Sequence, residues 1–197
     1  MKADARVQAA FEKFDAMNAN DPRKITFNGQ EIGTELLYAW RMSERLNLFA
    51  PGASIAVQLA ARSQHICRWQ KPRETYPEGR TGYLRWRTDL GKMHAEIAAT
   101  VLAECGFDSV TSENVGSLLR KMGLKTNPET QLLEDVICLV FIEHYLSDFM
   151  KKHSGEPDKI ADIVTKTLRK MSPQAIEAAP KLDLSSDVVN LWKQLSA

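Results

Sequence analysis

Apolar residues return every three or four positions over most of this chain, the spacing of one face of an α-helix. Val7, Ala10, Phe11, Phe14 and Met17 form such a face between Ala5 and Met17, and Asp21-Pro22 ends it. Leu36, Leu37, Trp40 and Leu48 mark a second helix, from an N-cap at Thr34 through Leu46, before Pro51-Gly52. Ser54 caps a third, of about four turns, to Trp69. A fourth is predicted from Tyr83 to Glu104, with Gly106 as its C′ residue. Ser112 caps a shorter helix to Met122, closed by Gly123, and Pro128 opens a long one from Glu129 to Lys152. Pro157 starts another to Met171, and Ser172-Pro173 and Ser185 or Ser186 begin two short terminal helices. Only Lys24 to Ile32 reads as extended, since Asn28-Gly29 is the preferred pair for a two-residue hairpin turn. Lys71 to Gly82, punctuated by Pro72, Pro77 and Gly79, reads as a loop.

The pattern predicts an all-α fold, a compact bundle of about seven to nine helices with one small hairpin near residues 24–32. With 197 residues, 44% hydrophobic and 26% charged, one core is expected, hence a single helical domain over residues 1–197. Cys67, Cys105 and Cys138 are widely spaced and odd in number, which argues against a disulfide framework or a zinc ribbon. The start of the chain lacks an apolar signal core, and the longest apolar run, Val136 to Ile142, is too short to cross a bilayer. No membrane partner is expected, and the cytoplasm is the default location.

Charge changes the picture locally. The formal net charge is only +1, so a nucleic-acid role would have to rest on one segment. That segment is Arg62 to Arg87, where Arg62, Arg68, Arg73, Arg80, Arg85, Arg87 and Lys71 face only Glu74 and Glu78, with Trp69, Tyr76, Tyr83 and Trp86 among them. Such an excess needs an anion or carboxylates from elsewhere in the fold. Guanidinium groups grip phosphate or carboxylate with paired hydrogen bonds.

Polar groups also interrupt apolar stripes. Arg62 falls inside the stripe Ile55, Leu59, Ile66 and Trp69, with Gln58 and His65 on its flank. His94 lies between Met93 and the stripe Leu90, Ile97, Val101 and Cys105, and Asp135 heads the run Val136 to Ile142. Buried groups of this kind need partners, and the simplest are one another. One reading is a structural network in which Asp135 bonds Arg62 or a histidine. The other is a site in which His65, His94 and Asp135 act as acid and base or hold a metal, while Arg62, Arg68, Arg73, Arg80 and Arg87 hold an anion and Trp69, Tyr76, Tyr83 or Trp86 stacks on a base, the alternative for each ring being to pack the loop. Glu96, Glu134, Glu143 and His144 read as solvated, and Lys121 as a cation complementing a helix C-terminus.

Several short words, in one order, carry a resemblance. Glu35-Leu-Leu-Tyr38 with Arg41-Met42, Ala60 through Ile66 with Arg68-Trp69, Pro72-Arg73, Tyr76-Pro77, Gly82 through Arg87, His94-Ala-Glu96, Gln131 through Asp135 and Cys138 through Phe141 are similar to the family catalogued as domain of unknown function 4202. The likeness runs from about Phe14 to Met171. Ile55 departs from it, standing where the family usually has glutamate after Ser54.

A more distant likeness is to helical metal-dependent phosphohydrolases of the His-Asp (HD) class. His65, His94 and Asp135 come in a similar order on three long predicted helices, and Thr88-Asp-Leu-Gly-Lys92 resembles an eroded His-Asp-Ile-Gly-Lys segment. The chain has no His-Asp dipeptide, and Thr88 stands where that histidine would be. The resemblance implies an HD-like core with a divalent manganese, iron or zinc ion on His65, His94 and Asp135, a set of imidazoles and carboxylate that leaves a position open for water. The expected function is a small hydrolase acting on a phosphorylated metabolite or nucleotide. Alternatives are a non-catalytic RNA- or nucleotide-binding module and a protein-binding scaffold.

Overall fold

Capping groups, some of them distant in sequence, set the element boundaries in the computed structural model, which describes residues 4–195. Asp4 accepts the Arg6 N–H and starts α1 (Ala5–Asn18). Strands β1 (Lys24–Phe27) and β2 (Gln30–Gly33) pair antiparallel with Phe27 opposite Gln30, and both turn residues, Asn28 and Gly29, take the positive φ that such a turn needs. Helix α2 (Thr34–Phe49) is not capped by Thr34. Gly33 holds the cap position without a side chain, and fully buried Asp21 accepts the Glu35 N–H at 3.1 Å in its place.

Ser54 caps α3 (Ile55–Ser63), accepting the Val57 N–H, but the helix stops two turns short of Trp69. The chain tightens through Gln64–Cys67, Cys67 turns left-handed at φ 53°, and its N–H donates to the buried Asn18 Oδ1 at 3.1 Å. That N–H therefore never joins the helical ladder. After short 3₁₀ turns at Arg68–Gln70 and Arg73–Thr75, α4 (Gly79–Glu104) begins a turn earlier than its apolar pattern. Helix α5 (Ser109–Leu119) is capped by Asp108, whose side chain accepts the Thr111 N–H at 2.7 Å, not by Ser112.

The long helix expected over 129–152 is two, α6 (Pro128–His144) and α7 (Leu146–Lys152), with Tyr145 between them at φ −128°. Then come α8 (Pro157–Leu168), α9 (Pro173–Ala178), capped by Ser172, and α10 (Ser186–Leu195). That break brings the α-helices among the described residues to ten, one above the expected range.

Cα packing groups the chain into two compact units, up to residue 130 and from residue 131 on. In the first, α3 lies against α1, α2 and α5, and α4 packs along α5 and α1. Six of the nine α3 residues are buried, three of them alanines, and these small side chains let three neighbours approach. Phe14, Met42, Leu46, Leu59, Ile66, Leu102 and Leu118 fill the core between them. In the second unit, Leu133, Leu139 and Leu146 are fully buried, α7 packs on α10, and the Ser147 hydroxyl donates to Asp187 at 2.8 Å. No helix of the described residues is long and apolar enough to cross a membrane.

Gly82, in the first turns of α4, is the tightest approach of loop to helix, since a Cβ there would stand 1.9 Å from the Pro77 carbonyl oxygen. Alanine ordinarily favours a helix over glycine by about 1 kcal/mol. Gly82→Ala is expected to reverse that sign and destabilise by about 1–3 kcal/mol, read as a lower urea midpoint at unchanged slope. An equal or higher midpoint would show that the loop yields freely.

Candidate functional site

The arginine-rich segment folds back on the first unit and leaves a cleft of about 490 Å³ whose lining runs from Gln64 to Lys121. From the turn after α3 come Gln64 and His65; from α4 come Leu84, Arg87, Thr88, Leu90, Gly91, Lys92 and His94; from the end of α5 come Leu119, Arg120 and Lys121. None of these described lining residues is Asp or Glu. The side chains of Arg87, Lys92 and Arg120 have no hydrogen bond or ion pair among the described residues. The rim is thus cationic and open to an anion.

Behind the lining residue His65 lies a connected polar cluster. Glu35, only 4% exposed, receives Arg23 Nη2 on Oε1 at 2.7 Å and faces His65 Nδ1 with Oε2 at 3.1 Å. That contact places the proton on Nδ1 and the lone pair on Nε2, and Arg68 Nη1 lies 3.2 Å from Nδ1 and 3.3 Å from Nε2. Tyr38 stacks on the imidazole at 4.0 Å, the Arg68 guanidinium lies over the Trp86 ring at 5.1 Å, and the His94 ring centre is 6.1 Å from that of His65.

Burial and the neighbouring guanidinium groups set the charge states. Burial, with Arg68 beside it, pushes His65 down to about 4, so it is neutral near pH 7. Burial also pushes His94 down to about 3, with the nearby His65 and Arg68 acting the same way. Glu35 resists its own burial, which alone would raise it, because His65, Arg68 and Arg23 surround it and bring it down to about 2. Arg68 itself is lowered, by burial first and by Arg87 next to it. Two polar atoms buried within the lining residues, His94 Nε2 and Gln64 Oε1, have no hydrogen-bond partner among the described residues, in residues 3% and 4% exposed.

The expected site residues divide. His65, His94 and Arg87 meet in the cleft with Arg68 alongside. Arg62 goes instead to Asp15, with Nε 2.8 Å from Oδ1, and lies over the Phe11 ring, while Trp40 Nε1 donates to the same carboxylate at 2.9 Å. Arg73 donates to the Tyr76 carbonyl at 3.0 Å and so stitches its own loop. Trp69, Arg80 and Tyr83 are not among the lining residues. Asp135 is buried in the second unit, where it accepts from Gln131 Nε2, the Ser172 N–H and the Ser172 hydroxyl at 2.9, 2.8 and 2.6 Å.

Glu35, Lys92 and Arg120 escape the reading of composition and stripes. The signal for Glu35 was the word Glu35-Leu-Leu-Tyr38, which carries both the carboxylate and the ring that flank His65. Lys121, read as complementing a helix dipole, also lines the cleft.

A model of the family described as Domain of unknown function (DUF4202) matches residues 8–191, a span wider than the words quoted above. No curated protein and no solved structure matches the chain.

The two imidazoles make stability depend on pH. Their folded values of about 4 and about 3 lie below the ordinary 6.5, so between those limits the unfolded chain binds about two more protons. The stabilisation is complete above pH 6.5 and is lost as pH falls through the folded values; Glu35, at about 2 against 4.5, adds its loss only below 4.5. Urea midpoints should therefore fall between pH 7 and 5, by up to about 1.4 kcal/mol per pH unit for each imidazole, and His94→Gln should roughly halve the slope. A midpoint flat over that range would contradict neutral, buried imidazoles.

Proposed function

The chain belongs to the family described as a domain of unknown function, DUF4202, and from its cleft we propose that it binds a phosphorylated small molecule and acts on the phosphoryl group. The observation that carries this reading is a concave site whose described lining offers Arg87, Lys92, Arg120 and Lys121, no carboxylate, and two imidazoles at its floor. Phosphoryl transfer is mostly positioning and charge stabilisation, which fixed cations around a protected site supply.

His65 is the acid–base group in this reading. Glu35 holds its Nδ1–H, which fixes the tautomer and steadies the imidazolium when it forms. In the free protein burial first, and then Arg68 and Arg87, keep the ring neutral. A bound phosphoryl dianion offsets those two charges, so the ring gains proton affinity only when the ligand is present. It then takes a proton from the attacking water as that oxygen bonds phosphorus and the P–O bond to the leaving group breaks; the departing alkoxide takes a proton from solvent water, and the imidazolium returns its own proton to solvent.

A divalent ion fits this cleft less well than an anion. It would find two imidazoles amid four cations, and among the described residues no three His, Cys, Asp or Glu side chains gather in a metal-holding group. No step is routed through a metal. A small ligand is favoured over a polymer such as RNA because Arg62 and Arg73 are turned inward to Asp15 and the Tyr76 carbonyl, which shortens the basic surface to the cleft itself.

The test is a thermal-shift and calorimetric panel of inorganic phosphate, sugar phosphates and nucleotides. At least one phosphorylated compound should bind, Arg87→Ala with Arg120→Ala should weaken it at least about tenfold, and Glu35→Gln should lower turnover by roughly 10²–10⁴ with a smaller effect on binding. Absence of binding by every compound, or full affinity in the arginine variant, would end the proposal.

A further inference from the structure

The accessible cations of the cleft are strung out along the seam between α4 and α5. Arg87, Gly91 and Ala95 stand at intervals of four on α4 and so form one ridge of the helix. A Cβ at Gly91 would lie 3.4 Å from the Leu119 carbonyl oxygen and 3.6 Å from Arg120 Cα, and one at Gly116 would lie 3.6 Å from the Ala95 Cβ. Residue numbers fall along α5 as they rise along α4, so the two helices are antiparallel and α5 ends beside Gly91. Arg87 stands one turn beyond that end.

The Arg120 side chain turns back over its own helix. Its Nη1 and Nη2 lie 3.2 and 3.6 Å from the Cβ position of Gly116, which puts the guanidinium across from Ala95. Long helical side chains lean toward the N-terminus of the helix that carries them, and in an antiparallel pair this lean keeps Arg87 and Arg120 apart. The other pole lies at the start of the ridge. There Arg87 follows Trp86, whose ring carries the Arg68 guanidinium at 5.1 Å, and Arg68 Nη1 lies 3.3 Å from His65 Nε2. Eight residues of α4 separate Arg87 from Ala95, a rise of about 12 Å. Exposed Lys92 stands between the poles.

One phosphate does not fill such a row. Donors gripping its opposite oxygens stand no more than roughly 8 Å apart. A single dianion also leaves charge unanswered, because Arg87, Lys92, Arg120 and Lys121 all line the cleft and no carboxylate is among the described lining residues. Half-buried Arg87 and exposed Arg120 are both open to a ligand, and a cleft of about 490 Å³ has room for a small metabolite that reaches from one to the other.

We infer that the ligand is a two-ended anion, with a phosphate at Arg87 beside His65 and a second anionic group, phosphate or carboxylate, at Arg120, joined by a carbon chain about the length of a hexose. The phosphate beside His65 is the group acted on, and the second group only holds the molecule in place. This rests on the phosphate-binding reading above and narrows it to one class of substrate.

Calorimetric titration of the full chain at one ionic strength, with fructose 1,6-bisphosphate, 6-phosphogluconate, fructose 6-phosphate and pyrophosphate, separates the two readings. Fructose 6-phosphate keeps the sugar and one phosphate; pyrophosphate keeps two phosphates without the distance between them. At least one of the two-ended compounds should bind at least about tenfold tighter than both of these, a factor that one charge-assisted contact supplies. Whether the bisphosphate or the phosphogluconate is the tighter tells whether the second group is phosphate or carboxylate. Arg120→Ala should bring the tighter compound down to the level of fructose 6-phosphate, and the comparison within the native protein stands without that variant. If fructose 6-phosphate or pyrophosphate binds as tightly as the two-ended compounds, the second anion or its spacing is wrong and the phosphate site survives. If none of the four binds, both readings fail.

Discussion

A single buried carboxylate holds the polar floor of the first unit together. Taking the Glu35 side chain out of water is costly unless its charge is answered on both oxygens. Arg23 answers one and His65 the other, while Asp21 secures Arg23 through two guanidinium bonds and caps the helix that carries Glu35. Cation and anion alternate from the hairpin to the imidazole, and Arg68 on Trp86 closes the row. Without the carboxylate, Arg23 would lose one of its two acidic partners and Arg68 its nearest counter-charge. The orientation of His65 depends on that balance.

The pairings around Arg62 and Asp135 show a different economy of charge. Both are polar groups in apolar surroundings, and pairing them with each other would have satisfied both. Arg62 is held instead by Asp15 and Asp135 by Ser172 and Gln131, each local to its own packing neighbourhood. These arrangements anchor α1 to α3 and fix the start of α9. They complete a hydrogen-bond set around each group.

How much was legible follows from which forces are local. Helical periodicity located every long helix and Asn28-Gly29 located the hairpin, because side-chain spacing and turn conformation are properties of neighbouring residues. Two boundaries failed where a distant residue intervened, Asn18 taking the Cys67 N–H past the end of α3 and Asp21 replacing Thr34 as the cap of α2, and two failed locally, at the Asp108 cap of α5 and the break at Tyr145. The site divides along the same line. His65, His94 and Arg87 stand out as polar groups near apolar stripes or in a charge excess. Lys92 and Arg120 look like ordinary surface cations until α5 is laid along α4, and Glu35 looks like a first-turn acid until the turn at Gln64–Cys67 brings His65 to it.

Helix α4 spans Gly79–Glu104 without a break. Arg87 and His94 stand seven residues apart on it, which is close to two full turns and a rise of about 10 Å along one face. A guanidinium and an imidazole mounted on the same rigid rod cannot drift relative to each other as loops do. The helix acts as a caliper: the interval between the two backbone positions is set by its rise per residue and stays constant while the loops around the cleft move.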